Sequence, residues 1–140
     1  MRFVLDNSVT MRWLFGDGSP RDTAYADRVL DLLGEEGASA LVPAIWPLEV
    51  GNVITRAEAR GVLDEARGTE FLALLGAMAI ESDLESIDQA LGHTLHLARQ
   101  HRLSTYDAAY LELALRKGLP IATLDTHLRA AADAAGTPHV

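Results

Sequence analysis

Along the chain, short unbroken apolar runs alternate with longer stretches in which apolar residues recur every three or four positions. The runs are "RFVL" at 2–5, "ALVP" at 40–43, "AMAIE" at 77–81 and "IATL" at 121–124, each short enough for a buried strand. The periodic stretches predict helices. Ser8 is expected to cap a short one over "VTMRWLF", and Gly16 to Pro20 make a loop. From Asp22 the positions Ala26, Val29, Leu30 and Leu33 share a face that Gly34 and Gly37 close. Pro47 suits a first helical turn, after which Trp46, Val50, Val53, Ile54 and Ala57 form one stripe until Gly61.

Another helix follows Asp64 with Ala66, Phe71, Leu74 and Leu75, and residues 86–100 predict one long helix with Ile87, Ala90, Leu91, Leu95 and Ala98 inward. Ser104 caps a helix bearing Ala108, Leu111 and Leu115 that stops at Gly118, and a last helix runs from about Thr126 to Ala135. Strands alternating with helices predict an α/β fold, with a central parallel sheet flanked by helices. No repeat, linker or low-complexity tract divides residues 1–140, so one domain is expected.

At 49% hydrophobic and 23% charged, the chain has the balance of an ordinary globule. No apolar run approaches the ~20 residues of a membrane span. The start, "MRFVLDNSV", lacks the apolar core of a secretory signal, and there is no cysteine, so a cytoplasmic location is expected. The net charge of −8 opposes any partner held by phosphate neutralisation alone. A nucleic-acid role then needs local basic residues or bound cations.

Four acids stand where such a sheet binds ligands, at the carboxyl ends of its strands. Asp6 follows "RFVL" and Asp125 follows "IATL"; Glu49 and Asp107 lie in the first turns of the helices after Pro47 and Ser104. Each has a plainer role. Asp6 and Asp125 suit caps or turns, "STYD" at 104–107 is close to a capping box, and Glu49 complements a helix dipole. Yet Asp107 shares a stripe with Leu111 and Ala114, and Glu49 with Val53, so both are aimed toward the core. Carboxylates facing one another repel unless a cation lies between them, and oxygen-only ligands suit Mg²⁺ or Mn²⁺. Metal-assisted phosphodiester cleavage is the sharpest chemistry this set supports.

The segments "VLDNSV", "PLEVGNV" and "TYDAAYLELALRKGLPIATLD", in this order and over nearly the whole chain, resemble the PIN domain, in particular the VapC-type toxins of bacterial toxin–antitoxin pairs. The resemblance implies a PIN-like three-layer sandwich and a Mg²⁺- or Mn²⁺-dependent ribonuclease. It assigns Asp6, Glu49 and Asp107 as principal acids and Asp125 as the fourth. Thr123 stands where a hydroxyl orients a carboxylate, and Asn7 and Ser8 support the first acid. Some relatives carry a further acid just after the fourth, where Thr126 and His127 stand here. The resemblance also implies a homodimer and a VapB-like antitoxin that places a segment near the acids.

RNA binding is expected to lean on Arg56 and Arg60, seven and eleven residues after Glu49 on its side of the helix, with Arg12 assisting; solvated surface charge is their plainer reading. His93 and His96, with His101 nearby, have metal-ligand spacing but no completing acid. Tyr106 and Tyr110 flank Asp107 and suit either base stacking or packing, while Trp13 and Trp46 suit apolar anchors. Two alternatives remain open. One is a binding module with this fold and no chemistry. The other is a haloacid dehalogenase-like phosphatase suggested by "DNSVT", although Ser8 replaces the required second Asp and Lys117 is the only lysine.

Overall fold

The structure is a computed structural model that describes all residues, Met1–Val140. Its centre is β1 (Arg2–Leu5), whose Phe3, Val4 and Leu5 are fully buried. A strand apolar on both faces is what the middle of a covered parallel sheet requires. On one side lies β2 (Ser39–Pro43), then β3 (Ile80–Asp83); on the other lies β4 (Ile121–Ala122). All pairings are parallel, with Val4 opposite both Leu41 and Ile121.

The order β3-β2-β1-β4 means that the chain reverses its direction of travel between β1 and β4. That switch point opens a crevice at the carboxyl ends of those strands. Beyond β4 the C-terminal segment takes up the next ladder position: Ile121 donates its N–H to Pro138 O, and Val140 donates to Ile121 O.

The helices are α1 (Asn7–Phe15), α2 (Pro20–Leu33), α3 (Trp46–Ala59), α4 (Glu65–Gly76), α5 (Glu85–Gln89), α6 (Leu95–His101), α7 (Thr105–Lys117) and α8 (Thr126–Ala134). They flank the sheet, and α7 packs across β1, β2 and β4. The expected α/β architecture with a central parallel sheet is therefore what the chain adopts.

Four local expectations are corrected. Helix α1 starts at Asn7 with Asp6 at the N-cap, so Ser8 lies inside it and caps nothing. Helix α2 starts earlier than Asp22, because Ser19 accepts from Asp22 N–H and Pro20 occupies the first turn. The third strand is displaced: α4 runs on to Gly76, and β3 begins only where Ile80 pairs with Ala40. Helix and strand compete for such an apolar run, and sheet register decided the outcome.

The helix expected over 86–100 is broken. It comprises α5, a π-helical turn (Ala90–Thr94) with non-helical Gly92, and α6. Non-helical Gly92 kinks the chain here, and Ile87 and Leu91 lie in solvent instead of the core.

Candidate active site

The crevice at the switch point is built from short reaches of sequence. Asp6 is carried out of the sheet by β1 and turned by the start of α1, which buries it to 4% exposure. Although it occupies an N-cap position, it makes no side-chain cap bond. Its Oδ2 instead accepts from Ser8 Oγ at 2.6 Å and Thr123 Oγ1 at 2.8 Å. Both hydroxyls are tied to the β4–α8 turn: Leu124 N–H donates to Ser8 Oγ, and Asp125 N–H donates to Thr123 Oγ1. The two strand ends that flank the crevice are thereby laced together.

Glu49 and Asp107 enter from the first turns of α3 and α7, each half-buried. Tyr110 Oη donates to Glu49 Oε1 at 2.6 Å from a fully buried position one turn beyond Asp107. Ser104 accepts the Asp107 N–H as the cap of α7, but no reciprocal bond from Ser104 N–H to the carboxylate closes the box. Asp125 does cap α8, its Oδ1 accepting from Leu128 N–H at 2.8 Å, so its plain structural role is real.

The electrostatics show how close the acids are. Desolvation raises the Asp6 carboxyl to about 6 against the lowering effect of the two hydroxyls, and the charges of Asp107 and Asp125 raise it further. Glu49 is raised by burial, with Asp6 and Asp107 adding to it and Tyr110 opposing. Asp107 is raised by burial and then by Asp125, while Ser104 and His127 oppose. All four expected acids thus converge on one site. Each carboxylate interacts unfavourably with at least two of the others.

Three of the four have one oxygen anchored and one free. Asp6 Oδ1, Glu49 Oε2 and Asp125 Oδ2 receive no hydrogen bond from the protein. Asn7 adds a buried Oδ1 without a partner. A set of hard oxygens left unbonded by the protein fits a hard divalent cation. No three His, Cys, Asp or Glu side chains are gathered closely enough to hold one ion directly, so part of any coordination shell must come from water or inward movement.

Other expected residues separate into near and far. Arg56 and Arg60 are exposed and line, with Ser8, Phe15 and Val53, a groove of about 450 Å³ between α1 and α3. Arg12 lines the same groove but is already paired with Asp17 at 2.5 Å. Tyr106 is 60% exposed, whereas Tyr110 is buried and unavailable for stacking. Its role as the partner of Glu49 escapes a reading of the sequence, where the i, i+3 spacing of Asp107 and Tyr110 is the available signal.

Trp46 and Trp13 are anchors, their indole N–H groups donating to Thr10 Oγ1 and Ala26 O. His93 and His96 are exposed and border the paired Glu112 and Arg116. Lys117 lines a pocket with Arg2 and Glu81 rather than the crevice, which removes the phosphatase reading's assisting lysine.

The family model of the PIN domain matches residues 3–134, and the chain belongs to that family. Among solved structures, it is similar to PAE2754 from Pyrobaculum aerophilum at 20% identity, with a TM-score of 0.66 over 94% of this chain and 79% of that one. It is also similar to VapBC2 from Rickettsia felis, bound to a DNA fragment from their promoter, at 11% identity and a TM-score of 0.65. That match covers 94% of this chain and 93% of the other. At these identities the likeness is one of fold. No curated protein matches by sequence. No helix is long and apolar enough to cross a membrane.

Proposed function

We propose that the protein is a Mg²⁺- or Mn²⁺-dependent endoribonuclease acting as the toxin of a toxin–antitoxin pair. The observation that carries this reading is the grouping of four carboxylates whose charges act on one another, three of them with one oxygen anchored and the other unbonded within the protein, at the switch point of a PIN-family sheet. Asp6, Glu49, Asp107 and Asp125 would hold the cation. When bound, it supplies charge stabilisation at the phosphodiester and activates water for in-line attack.

The chain's own residues set the geometry. Ser8 and Thr123 fix the Asp6 carboxylate so that Oδ1 faces outward, and Tyr110 does the same for Glu49. Asn7 offers a neutral oxygen beside them. Exposed Arg56 and Arg60, with Arg12 at the groove wall, offer positive charge to the RNA backbone leading to the crevice.

The partners we infer are RNA, a VapB-like antitoxin and a second copy of the chain, in the cytoplasm. A basic side chain of the antitoxin would be drawn to the same carboxylates and displace the cation. Homodimerisation draws support from an apolar groove of about 330 Å³ bordered by the exposed side chains of Leu48, Ile87, Leu91 and Tyr106.

The deciding experiment incubates purified protein with total transfer and ribosomal RNA, in Mg²⁺, in Mn²⁺ and in chelator, beside Asp6→Asn. Discrete cleavage that requires metal and disappears in the variant is expected. A second reading, a non-catalytic module of the same fold, is favoured by the absence of any preassembled three-ligand cluster. It requires no cleavage and no metal binding under any of these conditions.

A further inference from the structure

Around Tyr25, two arginines stand without an acid. Tyr25 on α2 is 9% exposed, and its hydroxyl is shielded from solvent, within reach of the Thr123 backbone and the Arg129 side chain but without a well-formed hydrogen bond to either. The Arg28 guanidinium lies 5.5 Å from the centre of this ring and the Arg129 guanidinium 6.0 Å. Both arginines are exposed, and neither forms an ion pair in a chain with eight excess negative charges.

Their position matters more than their number. Arg129 lies four residues after Asp125 on α8, hence one turn along the same face. Helical side chains lean toward the N-terminus, and the N-terminal end of α8 is the end that abuts the crevice. Burial pushes the Tyr25 phenol up, while the backbone of Thr123, Arg129 and Arg28 pull it down. The phenol thus lies close to Thr123, the residue whose own hydroxyl holds Asp6.

A cation–π interaction made by an exposed guanidinium is worth only about 0.5–1 kcal/mol and leaves most of its hydrogen-bonding capacity unused. Two like charges around one ring also repel. An anion bridging both would remove the repulsion and fill the donors, and planar guanidinium forks match phosphate oxygens.

We propose that Arg28 and Arg129, set around Tyr25, form a phosphate subsite that grips the RNA backbone beside the bond held at the four acids. The proposal rests on the ribonuclease reading and deepens it. Arg56 and Arg60 stand on the α1–α3 bank and Arg28 and Arg129 on the α2–α8 bank, so a strand crosses the carboxylates between two basic margins. Tyr25 is a positioning residue that holds the two cations in place.

The test measures kcat and KM for single-stranded RNA cleaved in Mn²⁺ over a range of NaCl concentrations. Wild type is compared with the double variants Arg28→Gln/Arg129→Gln and Arg28→Lys/Arg129→Lys. For the glutamine pair, KM is expected to rise roughly 10-fold, and the salt dependence of log KM to flatten by about 0.7 for each phosphate no longer neutralised. The lysine pair retains much of the salt dependence. Both arginines are exposed, so thermal melting of the variants should match wild type.

If wild type cleaves RNA and the glutamine pair has an unchanged KM and salt slope, the subsite is refuted while the ribonuclease reading stands. Weaker binding of poly-glutamate with RNA kinetics unaltered would instead identify a surface for an acidic protein and also overturn the proposal. If wild type cleaves no RNA in any metal, the ribonuclease reading falls first and the subsite with it.

Discussion

Asp6 shows at the scale of one residue how function sets its charge against stability. Its carboxyl is raised to about 6 in the folded chain from an ordinary value of 3.8, so the native state holds this proton more tightly than the unfolded state. The contribution to stability is therefore full below about pH 4 and is lost as pH rises through about 6. At neutral pH the buried charge costs about 3 kcal/mol in the absence of metal. Asp6→Asn should accordingly raise the melting temperature of the metal-free protein at pH 7 and flatten its dependence on pH between about 4 and 6. Urea titrations across that range, in chelator, check both. Added Mn²⁺ should stabilise wild type by about 2.7 kcal/mol at a hundredfold excess over Kd and leave the variant unmoved. A neighbour makes a subtler test. Tyr110→Phe keeps the buried ring but leaves Glu49 Oε1 without its donor, and should reduce metal affinity about 10–100-fold with the fold intact. Calorimetric titration with Mn²⁺ reads the decrease.

Between elements, the strongest tie lies away from the crevice. Arg116 on α7 reaches Glu112 at 2.7 Å, Asp83 at the end of β3 at 2.5 Å and Glu85 on α5 at 3.0 Å. Glu112 is 3% exposed and Asp83 8%, and their hydrogen bonds hold the Arg116 guanidinium well above its ordinary range. Removing the guanidinium leaves Glu112 and Asp83 as uncompensated buried charges. Arg116→Ala is expected to destabilise by about 3–5 kcal/mol, measured by urea unfolding, while Arg116→Lys recovers part of it. The sequence marks only the i, i+4 pair of Glu112 and Arg116, because Asp83 and Arg116 are brought together only by packing of α7 near the edge strand. The caps behave differently. Ser104, Asp64 and the left-handed Gly118 bound their helices where the sequence places them, since capping is decided within four residues.

For the molecule as a whole, the exposed apolar rim around the groove at Ile87 and Leu91 is the feature most in need of a partner. Leu91 is 86% exposed and Leu84 71%, so a charge at Leu91 does not disturb the core. Leu91→Glu should leave the melting temperature of the protein at low concentration unchanged and shift its sedimenting mass from dimer to monomer. A wild type that sediments as a monomer at all concentrations would remove the homodimer from the proposed function. The overall charge also takes on meaning at this scale. The acids at the crevice make up four of the eight excess negative charges.

The sequence by itself determined the alternation of strand and helix, the centrality of "RFVL", most helix stops and the placing of four acids at strand ends and first helical turns. Those depend on period, on local capping and on the rule that parallel sheets present their carboxyl ends to ligands. Tertiary structure decided what interactions distant in sequence control. Sheet register moved β3 to Ile80, and a kink at Gly92 broke the long helix and left Leu91 in solvent. Packing of α7 buried Tyr110 beneath Glu49, and the β4–α8 turn joined Ser8 and Thr123 on one carboxylate. The reason is physical: a residue's period is written in its neighbours, but the free energy of a buried charge depends on groups up to 117 positions away.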